Sequence, residues 1–125
     1  MEWMDIAAAI SAQRHSNRIC VTAAADDLVF HQPIRLGEVV TLRATVNRAF
    51  GTSMEVGVNV ISENQLTGDR KTANTAYLTF VAVDENNVPV KVPEIIPQTP
   101  DEKRRYREAL IRRNLRLKRR KSIRS

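Results

Sequence analysis

Cysteine is almost absent from this chain. Of 125 residues only Cys20 carries a thiol, so no intrachain disulfide can form and no thiolate cluster can hold a structural metal. Cys20 lies in the apolar run ICVTAAA, which offers no cation to favour a thiolate, and its expected role is core packing. Aromatic residues are few as well: three Phe, two Tyr and one Trp. Tyr106 is the sole aromatic after residue 100, so the basic C-terminus has no stacking platform for the bases of a nucleic acid. No apolar run approaches the roughly 20 residues of a membrane span. The start, Met1 to Ile10, is acidic and alanine-rich where a signal peptide would be basic and strongly apolar, and the expected location is the cytoplasm. The length suits a single domain.

Charge is unevenly placed. The net +6 divides into 12 Lys and Arg against 3 acids in residues 101–125, and 8 against 11 in residues 1–100. A mildly acidic body, residues 1–98, is therefore expected to carry a basic C-terminal helix and tail, residues 99–125. The basic segment alone would motivate binding to nucleic acid or an anionic surface, a reading that the missing aromatics disfavour.

Periodicity defines the elements. Trp3 to Ser16 reads as one helix, with Trp3, Ile6, Ile10 and Gln13 on one face and Asp5, Ala8, Ala9 and Ala12 on another. The alanines allow close backbone approach to a sheet wrapped around the helix. Asp5 is the one carboxylate on that bald face; there it either caps the first turn or, if buried, becomes a stronger base. Arg18 to Ala25 reads as a buried strand ended by Asp26 and Asp27, and a short apolar segment, LVFHQPI, follows. Val39 to Val46, Ser53 to Ser62 and Thr72 to Val83 alternate or run apolar as three long strands in series, joined at Gly51 and Gly68, which makes an antiparallel meander. Four prolines then break the pattern. A second helix is predicted from about Asp101 to Lys118, with Thr99 or Asp101 as cap, Pro100 early, and Tyr106, Leu110, Ile111, Leu115 and Leu117 as its apolar residues.

With these residues laid out, the sequence resembles the hotdog-fold acyl-CoA thioesterases of the acyl-CoA hydrolase type. The resemblance is carried by WMD followed by a small-residue helix and RHS, by VTAAADDLVFHQPIRLGEVV, by GTSMEVGVNV and by YLTFVAVDENNVPVKVP. It implies an α+β hotdog fold, an antiparallel sheet wrapped around a central N-terminal helix, here with an extra basic C-terminal helix. It also implies hydrolysis of fatty acyl-CoA to free fatty acid and CoA, with no cofactor beyond the CoA of the substrate.

In that family an acidic residue on the central helix acts at the thioester carbonyl, in a site between subunits. By position this is Asp5, as general base or as nucleophile. The partner is then a second copy of the chain, in a dimer or a trimer of dimers. Relatives normally carry a first strand and a Gly-Gly loop before the helix. The chain starts inside the helix, so an N-terminally shortened and impaired enzyme is expected, since losing one oxyanion donor costs about a hundredfold or more.

Thr52 and Ser53, after the Gly51 turn, fall where the family places groups near acyl-CoA; a turn role is the alternative. Arg48 beside that turn, and Arg104, Arg105, Arg112, Arg113 and Arg116 on the second helix, are candidates for the CoA phosphates, Arg112 and Arg113 foremost. His15 reads as a helix-end cation. His31 has no Ser or Asp partner at a spacing that would make a triad. The competing functions are an inactive oligomeric hotdog scaffold or CoA-ester binder, and a basic-tail nucleic-acid binder.

Overall fold

The structure is a computed structural model. It describes the backbone of residues 2–124 and the side chains of these except 2, 3, 5, 24–28, 30 and 120–124. Helix α1 (Glu2–Ser16) is followed by four strands, β1 (Ile19–Phe30), β2 (Glu38–Phe50), β3 (Ser53–Asn64) and β4 (Arg70–Val83), and helix α2 (Pro100–Arg124) comes last.

Local chemistry ends α1 where the sequence turns polar. The Ser16 hydroxyl donates to the Ala12 carbonyl at 2.8 Å, and Asn17 adopts a left-handed φ of 57° while its N–H donates to the Gln13 carbonyl. Asn tolerates that conformation, so the chain can leave the helix there and enter β1.

All strand pairs are antiparallel, in the order β1-β4-β3-β2. The expected meander is β2-β3-β4, and β1 adds to the far side of β4. The sequence reading stopped the first strand at Asp26; β1 instead continues to Phe30 as one strand. Register shifts between Thr22 and Ala24, and between Ala25 and Asp27, absorb the extra residues. An edge strand pairs on one side only, so it accommodates bulges and acidic residues that a central strand would reject.

The sheet wraps α1, which touches all four strands. Met4, Ala8 and Ala12, spaced one turn apart, form its inner stripe, and both alanines are fully buried against Met54, Val56, Val58 and Phe80. Side chains without bulk let the helix backbone lie close to the sheet; each buried Val, Met or Phe opposite contributes about 1.5–3 kcal/mol. The Ile6 and Ile10 face is left open, about half exposed at 49% and 47%.

On β3 the alternation sends Met54, Val56 and Val58 to the helix side and Glu55, Gly57 and Asn59 to the outer side. After β4, Val90 and Val92 donate backbone N–H groups to Ala82 and Gly51, and Val92 is buried. α2 then begins with a reciprocal cap: Thr99 Oγ1 accepts from the Glu102 N–H at 3.1 Å, and the Glu102 carboxylate accepts from the Gln98 N–H at 2.9 Å. Thr99, not Asp101, is the cap.

The side of α2 that docks differs from expectation. Leu110, Ile111, Leu115 and Leu117 are exposed, while Ala109 and the stems of Arg112, Arg113 and Arg116 are buried or half-buried. The outer face of the sheet offers carboxylate, hydroxyl and aromatic groups, so arginine rather than leucine matches it.

Candidate active site

The helix side of the sheet holds the position with the strongest sequence case. Asp5 lies in the first half of α1, but its side chain is outside the described residues, as is that of Trp3. On β1, the Cys20 thiol meets the Ser16 hydroxyl at 3.3 Å, which fixes Cys20 on the helix side. The two-residue alternation puts Thr22 on that side too, exposed, immediately before the first bulge of β1. Bulges re-aim side chains and recur beside active sites. A cleft of about 550 Å³ runs between α1 and β2, lined by Ala7, Ile10, Ser11, Arg14, Leu42 and Ala44 among others.

The predicted phosphate-binding arginines lie on the opposite face. Arg112 forks onto Glu55, with Nε to Oε2 at 2.9 Å and Nη2 to Oε1 at 2.7 Å, and its guanidinium carbon stands 3.6 Å over the Tyr77 ring. Burial by itself would lower the Arg112 pKa, but the Glu55 hydrogen bonds and charge outweigh it and hold the group above its ordinary value. Asn47 Nδ2 donates to the same carboxylate at 2.9 Å.

Arg48 stacks on Tyr106 at 3.8 Å and donates to its carbonyl at 3.2 Å, and Arg113 covers Phe50 at 4.6 Å. Burial, then the neighbouring Arg116 charge, pull Arg113 below its ordinary pKa. These three residues clamp α2 to the sheet. Within one chain they do not converge with α1. Arg112 in particular has its fork filled by Glu55, which corrects the expectation that it is free for phosphate.

Thr52 is exposed in the turn and its carbonyl accepts from the Ala82 N–H at 3.0 Å. Ser53 donates its hydroxyl to the Phe50 carbonyl at 3.3 Å, which closes the turn around Gly51, whose φ is 68°. His15 Nε2 is 2.7 Å from the Pro93 carbonyl oxygen and ties the end of α1 to the proline segment. His31 Nε2 meets Thr75 Oγ1 at 3.2 Å. Among the described residues no three His, Cys, Asp or Glu side chains gather as metal ligands. Sequence reasoning missed Glu55 and Asn47, although an acid in the middle of an apolar strand at an outward position is the signal of a covered outer face. It also missed Thr22.

Comparison with known proteins gives this arrangement a context. The thioesterase superfamily model matches residues 1–68. A mouse acyl-coenzyme A thioesterase 11 is 43% identical over 94% of this chain, and an uncharacterized acyl-CoA thioester hydrolase of Bacillus subtilis is 42% identical over 97%. The chain spans 20% of the mouse relative's length and 70% of the bacterial one's.

An acyl-CoA hydrolase of Bacillus cereus superposes with a TM-score of 0.92 at 41% identity, over 98% of this chain and 75% of the other. An apo-hexameric acyl-CoA thioesterase gives 0.90 at 42%, over 94% and 76%. An acyl-CoA hydrolase of Staphylococcus aureus, solved with butyryl-CoA, CoA and CoA disulfide, gives 0.92 at 35%, over 99% and 76%. That hydrolase has also been solved as variants in which an aspartate, a threonine or an asparagine is replaced by alanine. A sheet wrapped around an alanine-faced helix, the matched family model and relatives above 40% identity lead to one assignment: the chain belongs to the thioesterase superfamily, with the hotdog fold.

Proposed function

We propose that this chain hydrolyses the thioester of fatty acyl-CoA on the helix side of its sheet, in an assembly with further copies of itself. Asp5 acts at the thioester carbonyl, as base for water or as nucleophile, and Thr22 supplies a hydroxyl beside it. The observation that carries this reading is a spacing. In the S. aureus hydrolase the replaced aspartate and threonine are seventeen positions apart, and so are Asp5 and Thr22, on α1 and on the helix-facing side of β1. A hydroxyl held by a strand bulge and a carboxylate on a helix above it are suited to orienting water and a carbonyl. The α1–β2 cleft, walled by Ile10, Leu42 and Ala44, offers an apolar bed for an acyl chain.

Association is supported by the apolar groups left open. Ile6 and Ile10 on α1, Val21 and Val29 on edge strand β1, and Val39 and Val40 on edge strand β2 are all between 42% and 49% exposed. Unpaired edges carrying apolar side chains favour pairing with another copy. No helix among the described residues is long and apolar enough to cross a membrane, and the reading places the enzyme in the cytoplasm, in fatty-acid metabolism.

Release of free thiol from a series of acyl-CoA esters, followed with a thiol-reactive chromophore, tests the function. Turnover that falls strongly in Asp5→Ala and Thr22→Ala is expected. No thiol release from any chain length, or a monomer on sizing with full activity, contradicts the proposal.

A further inference from the structure

The outer face of the sheet carries a groove that the proposed hydrolysis leaves unused. Its volume is about 610 Å³, within the range of small-molecule sites. Gly57, Asn59 and Thr75 lie along the strands that floor it, Arg43 comes from β2, and Arg104 and Arg105 come from the second turn of α2.

Three features give it a chemical preference. First, its charge is positive and partly uncommitted. Arg104 is shared with Asp101 at 4.0 Å and Glu108 at 3.7 Å, whereas Arg43 and Arg105 make no ion pair or hydrogen bond among the described residues. Two guanidinium groups bordering one groove repel, and an anion between them reverses that cost.

Second, the floor holds an unsatisfied acceptor. Asn47 is 4% exposed and lines the groove; its Nδ2 is committed to Glu55, and its Oδ1 has no hydrogen-bond partner. A buried carboxamide oxygen left without a donor is costly, so an N–H group brought to it gains. Gly57 keeps that place open, because a Cβ there would lie 2.8 Å from Asn47 Nδ2.

Third, the rest of the floor is a polar chain with a set direction. The Thr75 hydroxyl donates to Asn59 Oδ1 at 3.0 Å, so it accepts from His31 Nε2 at 3.2 Å, and His31 Nδ1 is left as an acceptor. Acceptors for N–H groups and uncommitted guanidiniums for oxyanions thus share one small groove.

We infer that this groove binds a phosphate-bearing nucleotide, with Arg43 and Arg105 on phosphate oxygens and Asn47 Oδ1 and His31 taking the amino groups of a base. Two sources supply that chemistry. One is the nucleotide end of acyl-CoA whose thioester lies in another copy, since the groove and α1 are on opposite faces of the sheet; this source rests on the proposed function. The other is a free nucleotide, bound independently of the substrate.

Calorimetric titration of ADP into the full chain, its Arg43→Ala variant and the Arg43→Ala/Arg105→Ala double variant tests the inference. ADP binds the unaltered chain, and affinity falls at least tenfold in the double variant and by an intermediate factor in the single one. Arg43 is exposed, so the single variant keeps the test valid if the double one fails to fold. Repeating the titration in the presence of a non-hydrolysable acyl-CoA thioether separates the sources: exclusion of ADP assigns the groove to the substrate, and simultaneous binding assigns it to a free nucleotide. No ADP binding at millimolar concentration, or equal affinity in a folded Arg43→Ala variant and the unaltered chain, overturns the inference. Thiol release is measured separately, so a chain that binds ADP but cleaves no thioester removes the hydrolase reading and leaves the groove standing.

Discussion

Replacing Arg112 by alanine strips the counter-charge from one of the most deeply buried acids in the protein. The Glu55 side chain is 4% exposed and that of Arg112 14%. Without Arg112, the remaining described donor to Glu55 is one neutral amide N–H, from Asn47. Breaking a buried pair by removing one partner costs about 3–5 kcal/mol, because the other charge stays desolvated. The stack on Tyr77 goes with it.

In a domain of this size each kcal/mol moves the melting temperature by about 3–5 °C, so a fall of roughly 10–20 °C is expected. Thermal unfolding followed by circular dichroism at fixed protein concentration reads it, and the fixed concentration matters if copies associate. Two companions isolate the cause. Arg112→Lys keeps the charge but loses the fork and should fall between the extremes. The double change Glu55→Met with Arg112→Met removes both charges and should recover most of the loss, to within about 1 kcal/mol of the original. An Arg112→Ala variant melting within 3 °C of the unaltered chain would show that Glu55 is not isolated by α2, and the account of helix docking would be wrong.

Three further outcomes follow from the same geometry. Gly57→Ala places a methyl group 2.8 Å from Asn47 Nδ2; pushing that amide off Glu55 should cost about 1–3 kcal/mol, measured by urea unfolding. Glu38 accepts from the Arg35 N–H, its leading cause of a lowered pKa, then from Ser62, with Lys71 nearby and burial opposing. A carboxylate depressed in the folded state stabilises fully above its ordinary value of 4.5 and loses that contribution as pH falls through the lowered value. The stability gap between the unaltered chain and Glu38→Gln should therefore be present at pH 7 and close with acidification below 4.5; a gap independent of pH would contradict it.

The pattern of apolar residues made most of the fold legible. Alternation in β2 and β3 and the bald stripe of α1 are signals of burial on one side, and Ala8, Ala12, Met54, Val56 and Val58 lie where those signals put them. Other features depended on partners distant in the chain. Asp26 and Asp27 look like strand breakers until β1 is known to be an edge, where a bulge carries them. The leucines of α2 look like its inner face until Glu55, Thr79 and Tyr77 are found opposite, and these draw Arg112 and Arg116 inward instead. The candidate site divides in the same way. Asp5 was readable from its place in a motif, while the predicted phosphate-binding arginines proved to be committed to stacking and ion pairing on the far face. Thr22 gave no local sign; only its spacing from Asp5 singles it out.

The most direct test of the central reading is the turnover number of Asp5→Asn on a fatty acyl-CoA, with the melting temperature recorded alongside. Removing a general base typically costs 10²–10⁴-fold. A loss of at least about a hundredfold in kcat with unchanged melting is the result expected. Turnover equal to that of the unaltered chain would place the chemistry elsewhere and leave the hotdog fold without the carboxylate assigned to it.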